Sequence, residues 1–282
     1  MRVTLLGLGL IGGSIARALH AAPEPPDRVV AWTPGGRGPA AALAAGAVDE
    51  VAGSLAEAVS DADLVVLAGP PVACIDLLAA LGDGLVARMA PGATVTDVAS
   101  TKGEITRAAS IAAVPFVGGH PMAGRETSGF GAGDAELFRD RPWIVTEAVA
   151  GGDVDAVRWL VAACKGRLVA LGADQHDALV AAISHLPLLT SVALVESVTA
   201  APDWELARTL AASGWRDMTR LARGDVAMGA DIAATNAPAI AARLRAYRDQ
   251  IDAWIALLEA DGGPDVEAIA AALAGARARL EA

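Results

Sequence analysis

The sequence predicts an α/β fold in two parts: a mostly parallel sheet wrapped by helices over residues 1–172, and an all-helical domain over residues 173–282. Three observations carry this expectation. Short apolar runs alternate with helix-length segments as far as Gly172, a glycine-rich turn separates the first run from the first helix, and beyond Gly172 helical patterns continue without strands. A length of 282 residues is roughly twice a common domain size, enough for two cores.

Taken in order, `RVTLLGL` reads as a strand, `GGSIARALHA` as the start of a helix and `RVVAWT` as the next strand. An Ala-rich segment over 38–45 forms a short helix, and `DADLVVLAG` is a strand stopped by Pro70 and Pro71. Residues 72–89 are helix-compatible, `ATVTDV` is a strand, and a helix starts near Lys102. `PFVGG` and `PWIVTE` are strands on either side of a Gly-rich stretch, followed by a helix near 153–164 and the strand `GRLVAL`. Beyond Gly172, helical patterns cover 174–200, 203–224, 225–258 and 264–280, with Pro187 bending or interrupting the first.

Lys and Arg number 22 against 33 Asp and Glu, a net charge of −11, which opposes gripping nucleic acid or an acidic membrane surface. A small anionic ligand remains compatible, because a few local cations outweigh a screened, distant acidic surface. The apolar 54% is Ala-rich and broken by charges, so no uninterrupted run of bilayer length occurs. The opening has a superficial likeness to a secretion signal, but strand, Gly turn and helix explain it better. Cys74 and Cys164 sit among small apolar residues and read as free thiols in a reducing compartment, so a cytoplasmic protein is expected. Four separated histidines make no metal-spacing pattern.

The `GLGLIGG` stretch at 7–13 is the sharpest motif. Gly7, Gly9 and Gly12 serve a tight turn, close approach to a diphosphate, and close helix–strand packing, with Leu10 and Ile11 opening the helix whose N–H groups face phosphate. This placement predicts a Rossmann-like site for a dinucleotide. Ser14 either donates to phosphate or caps the helix. Where an acidic residue would favour an unphosphorylated ribose, the second strand ends in Thr33 with Arg37 nearby, which favours NADP slightly over NAD, although Arg37 also suits a solvated loop.

Strand ends gather further candidates. Ser100 and Lys102 follow one strand in `TDVASTKG`, and His120 follows another in `GGHPMAGRETSG`. His120 stands in a glycine turn, unlike a histidine on an apolar helix face, and reads as functional. His185, just before Pro187, reads as a substrate-site residue, whereas His20 and His176 read as a capping residue and as part of a polar helix start. Arg216 in `SGWRDMTRLARGD` could enter a cleft and grip a carboxylate.

Together `VTLLGLGLIGGSIARAL`, `TDVASTKG`, `FVGGHPMAGRETSGF`, `LFRDRPWIVT`, `ISHLPLLTSVAL` and `SGWRDMTRLARGD`, in this order, resemble the prephenate and arogenate dehydrogenase family over nearly the whole chain. The resemblance implies NAD(P)-dependent oxidative decarboxylation of prephenate or arogenate in tyrosine biosynthesis, in a homodimer whose helical domain dimerises and closes the substrate cleft. It implies that His120 takes the proton of the ring C4 hydroxyl, that Ser100 bonds that hydroxyl and orients His120, and that His185 and Arg216 bind substrate, Arg216 through the side-chain carboxylate.

One departure bears on the substrate: Leu188 stands in `SHLPL` where many prephenate-using relatives carry a second histidine. One donor is thereby lost, and arogenate or dual use becomes compatible. Two rival classes share parts of the pattern, namely another NAD(P)-dependent enzyme of the β-hydroxyacid dehydrogenase or imine reductase type and a non-catalytic nucleotide sensor. The former would call for a catalytic lysine in the helical domain, and the latter would need structural roles for His120 and Ser100.

Overall fold

The computed structural model describes residues 1–125, 127–261 and 263–281, without the Arg37 side chain. Eight strands form one sheet in the order β3-β2-β1-β4-β5-β6-β7-β8. They are β1 (Arg2–Leu6), β2 (Arg28–Trp32), β3 (Glu50–Val51), β4 (Leu64–Leu67), β5 (Thr94–Asp97), β6 (Phe116–Pro121), β7 (Pro142–Val149) and β8 (Arg167–Ala170). Every pairing is parallel except β6 with β7. Order 3-2-1-4-5-6 is that of a doubly wound nucleotide-binding sheet, whose ligands bind at the carboxyl ends of the strands.

Between the strands run α1 (Leu10–Ala21), α2 (Arg37–Ala44), α3 (Leu55–Val59), α4 (Pro71–Ala80), α5 (Gly103–Ile111) and α6 (Val154–Ala163). Both sheet faces are covered, as parallel strands require. One layer gathers Leu5, Ile15, Leu19, Val66, Trp143 and Leu160, and the other Leu6, Val65, Leu78, Val95, Ile105 and Phe116. The short pair β3 and α3 has no counterpart in the sequence expectation; β3 is only two residues long, too short for a periodic signal.

Beyond β8 the described chain is helical: α7 (Ala173–Val180), α8 (Leu186–Thr199), α9 (Trp204–Ala207), α10 (Ser213–Thr219), α11 (Val226–Thr235), α12 (Ala237–Leu258) and α13 (Val266–Glu281). A wide π-type turn, Ala181–His185, joins α7 to α8 just before Pro187, whose missing N–H cannot close an ordinary turn there. The single helix expected over 203–224 is broken into short pieces, and that over 225–258 is interrupted at Asn236.

The strands end at Ala170, yet the first compact unit runs from Met1 to Ala237, and Pro238–Ala282 forms the second. The expected boundary at 172 marks the change of secondary structure; the helices that follow are tied back to the first part of the chain by bonds such as Asp231 Oδ2 of α11 accepting from Val72 N–H of α4 at 3.2 Å. Residues 173–199 are long and apolar enough by composition to cross a bilayer. Within this stretch, however, His176, Asp177 and His185 are buried against the protein.

Candidate active site

The three glycines of the turn meet different surroundings. Gly7 has φ +119°, and a Cβ there would stand 2.5 Å from the Ala68 carbonyl oxygen; a Cβ on Gly12 would stand 2.1 Å from the Gly7 carbonyl oxygen. Gly9 is different, because a Cβ on it would meet nothing within 4 Å. Gly7 and Gly12 therefore close the turn, while Gly9 leaves open space at the start of α1, a helix without a side-chain cap. Gly9, Leu10 and Ile11 line a cleft of about 630 Å³ together with Ser100 and His120. An uncapped helix start beside a glycine with open space suits the diphosphate of NAD(P).

The Ser14 side chain bonds a neighbouring loop. It is buried, and its Oγ accepts from the Asp134 N–H at 3.0 Å, so it pins the 130–135 loop to α1. Thr33 opens the turn after β2, its carbonyl accepting from Gly36 N–H. The Arg37 side chain lies outside the described residues.

His120 reaches the cleft because β6 is built almost without side chains beneath it. A Cβ on Gly118 would stand 2.8 Å from Thr146 Oγ1, and one on Gly119 would stand 2.6 Å from the Asp97 carbonyl oxygen. The register also shifts between Val117 and Gly119, a bulge that re-aims the residue following it. Underneath lies a buried ion pair, Lys102 Nζ with Asp97 Oδ2, both side chains fully enclosed. Asp97 additionally accepts from Gly119 N–H and Ala99 N–H, each at 3.0 Å.

His120 does not stand alone. Its Nδ1 is 2.8 Å from His176 Nε2, and His176 Nδ1 is 2.7 Å from Asp177 Oδ1. The Asp177 carboxylate also accepts from Lys102 N–H and Gly103 N–H, each at 2.8 Å, and so caps α5 from across the site. Gly103 is needed there, since a Cβ would stand 3.0 Å from Asp177 Oδ2. Burial would raise the Asp177 pKa, but the hydrogen bonds from His176, Gly103 and Lys102 prevail and lower it, keeping the group ionised. Burial, and then the neighbouring His176, Lys102 and His185, hold His120 well below the usual histidine range. The sequence expectation gave His176 no role; `DQHD` looks like any polar helix start.

The remaining predicted residues divide. Ser100 lines the cleft with His120. His185 is buried outside the cleft lining and joins the network through Asn236, whose amide nitrogen is 3.2 Å from His185 Nδ1 and donates to the Asp177 carbonyl at 2.9 Å. Arg216 is exposed and does not line the cleft; Arg220, one turn later, does, as do Arg223 and Arg125. Because α10 ends at Thr219, the chain turns after it and presents the later arginine. Leu188 also lies outside the lining, near Gly229 of α11, so it does not directly make the cleft apolar.

Two family models together span most of the chain. Residues 32–170 match the family model described as the prephenate dehydrogenase nucleotide-binding domain, and 172–273 match its dimerization domain. A prephenate dehydrogenase of Lactococcus lactis is 30% identical over 256 residues, covering 89% of this chain and 69% of the relative. A cyclohexadienyl dehydrogenase of Zymomonas mobilis is 32% identical over 248 residues, covering 84% and 82% respectively. The crystal structure of Synechocystis arogenate dehydrogenase superposes with a TM-score of 0.81 at 29% identity, covering 99% of this chain and 100% of that one.

Proposed function

This chain belongs to the prephenate dehydrogenase family, and we propose that it oxidises its substrate in the cleft beside His120, with His120 as the base. It is an NAD(P)-dependent dehydrogenase of prephenate or arogenate in aromatic amino acid biosynthesis. In the reaction ring C4 gives up a hydride and its hydroxyl a proton to the base; the ring carboxylate leaves as carbon dioxide, its bonding electrons make the ring aromatic, and the phenolate oxygen takes the proton back. NAD(P), when bound, supplies the hydride acceptor.

The tautomer of His120 carries the assignment. The ionised Asp177 can only accept, so His176 Nδ1–H donates to it. With His176 neutral, its Nε2 offers a lone pair and accepts from His120 Nδ1–H. His120 Nε2 is then left with its own lone pair, the state a general base requires. When His120 takes the substrate proton, its positive charge is supported through His176 by the Asp177 carboxylate. Ser100 lines the same cleft and would bond the same hydroxyl, and Arg220 and Arg223, also in the lining, would take substrate carboxylates; on this reading Arg220 has the role that the resemblance gave to Arg216. The resemblance also gives His185 a substrate contact; as it is buried outside the cleft lining, it would donate to a substrate oxygen only where bound substrate reaches past that lining toward the network.

Three finer points belong to the same proposal. Thr33, in place of an acidic residue, removes repulsion toward a 2′-phosphate, so NADP is preferred over NAD. Titration of both cofactors tests this, and Arg37→Ala should weaken NADP selectively; equal affinities would refute the preference. On α12, Tyr247, Ile251, Ile255 and Leu258 form an exposed stripe at helical spacing, which suits the 173–282 segment to covering by a second copy. Sedimentation should give a dimer. We also assign the chain to the cytoplasm, where its free thiols Cys74 and Cys164 would stay reduced.

The deciding experiment offers prephenate and arogenate separately with NAD and NADP, following reduced nicotinamide and carbon dioxide. At least one substrate should turn over. His120→Asn should slow single-turnover hydride transfer by about 10²-fold or more while cofactor affinity holds. A near-normal rate in that variant would remove His120 from the base role.

A further inference from the structure

Asn236 stands at the break between α11 and α12, nearly buried, and nothing in the sequence marked it. Its placement is fixed by the helix that carries it. Thr235 Oγ1 contacts Thr101 Oγ1 at 2.9 Å, and Asp231 accepts from Val72 N–H, so α11 is fastened both to the start of α4 and to the loop that follows β5. The Asn236 amide nitrogen donates to the Asp177 carbonyl oxygen at 2.9 Å. A carbonyl oxygen only accepts, which settles that the NH₂ side of the amide faces Asp177. The same nitrogen lies 3.2 Å from His185 Nδ1, which must therefore accept the second hydrogen. A histidine whose Nδ1 accepts is neutral and carries its proton on Nε2.

We propose that Asn236 is a positioning residue of the active site, holding His185 as a neutral Nε2–H donor and tying it to the same Asp177 that orients His176 and His120. That His185 serves the substrate rests on the function proposed above; that Asn236 sets its tautomer does not. The surroundings agree. Burial pushes the His185 pKa down to about 4, with Asp177 opposing and His176 reinforcing the shift, and His120 of β6 is the other histidine close enough to interact. A neutral donor keeps its bond to a substrate oxygen unchanged over a pH range in which an imidazolium would titrate. Through Asp177, Asn236 also braces the turn from which His176 reaches His120.

The direct test is a long-range ¹H–¹⁵N correlation of the histidine rings at pH 7.5, with His185 assigned by comparison with a His185→Gln variant. A protonated Nε2 and bare Nδ1 are expected in the wild type; a protonated Nδ1 would overturn the proposal without any activity measurement. Asn236→Asp replaces the donor by an acceptor and should switch the ring to Nδ1–H or to the cation. Loss of one well-placed donor to substrate predicts a KM increase of about tenfold, newly pH-dependent between about pH 5 and 8, with a smaller change in kcat. An unchanged tautomer in folded Asn236→Asp would overturn the proposal. A switched tautomer with unchanged KM would uphold Asn236's hold on His185 and remove His185 from substrate binding instead.

Discussion

His176 Nε2 lies 2.8 Å from His120 Nδ1, a contact that spans 56 residues of sequence and that, in the function proposed above, leaves Nε2 as the basic nitrogen of His120. It makes His176 a residue whose removal should be felt in chemistry more than in binding. His176→Ala is expected to lower kcat by roughly 10- to 10²-fold with little change in cofactor Kd, because His120 loses the acceptor that fixes its tautomer. His176→Gln, whose carbonyl oxygen can accept the same bond, should recover part of the rate. Equal kcat in wild type and His176→Ala, measured by single turnover, would break the link.

The pH profile follows from burial. Because His120 is held below 6.5, the acidic limb of kcat/KM should lie below that value. Stability should move in the same direction. A histidine with a depressed folded pKa binds fewer protons folded than unfolded, so its contribution is full above 6.5 and is lost as pH falls. For His185 that window runs from 6.5 down to about 4, while His120 opens at the same upper edge. Asp177, also lowered, adds a loss only below its ordinary value of 3.8. Each extra proton taken up by the unfolded chain contributes a slope of about 1.4 kcal/mol per pH unit. Urea midpoints should fall between pH 7 and 5, less steeply in His120→Asn; a flat profile would contradict the burial argument.

Local patterns made much of this site legible in advance. Gly7, Gly9 and Gly12 announce their turn because each answers a backbone constraint of its own, and His120 stands out because glycines and a proline surround it. The partners of His120 were not legible. His176 and Asp177 begin a helix as many polar residues do, and only the folded path that brings α7 to β6 gives them a role. Asn236 falls inside a helical pattern, so the break it creates has no periodic signature. Arg216 and Arg220 share one helix face in sequence, and the phase that brings Arg220 to the cleft depends on where the short α10 ends.

Two alanine substitutions separate cofactor space from fold. Gly9→Ala meets nothing within 4 Å and has φ −82°, so it should fold with stability within about 0.5 kcal/mol of wild type while weakening NAD(P) binding at least tenfold. Gly12→Ala would drive a Cβ to 2.1 Å from the Gly7 carbonyl oxygen and should lower Tm strongly. Unaltered cofactor affinity in Gly9→Ala would place the diphosphate elsewhere.

Lys102→Met leaves the Asp97 carboxylate buried without its cation. Breaking such a pair costs about 3–5 kcal/mol, and combining the change with Asp97→Asn should restore part of it, because no unpaired charge then remains. Loss of the Lys102 charge should also raise the acidic limb of activity, since that charge is one of those depressing His120. Thermal melts and pH–rate profiles of the single and double variants check both parts. A single variant as stable as wild type would mean that the pair is not what supports β6.

The two arginines give the clearest contrast between sequence and structure. Both side chains are exposed, but Arg220 lines the cleft that contains Ser100 and His120 and Arg216 does not. A guanidinium bound to a substrate carboxylate contributes mainly to binding, and loss of a charge-assisted bond of this kind is worth about 1.5–3 kcal/mol, or roughly tenfold to 10²-fold. Arg220→Ala should therefore raise KM by that factor and leave hydride transfer from the saturated complex within a few-fold of wild type. Arg220→Lys should recover only part, because an ammonium cannot make the forked pair. Arg216→Ala should leave KM within about twofold, because its charge stands outside the cleft lining and solvent screens it from bound substrate. If the KM effects fell the other way round, the carboxylate would be bound through Arg216, and α10 would have to turn relative to the cleft on binding substrate.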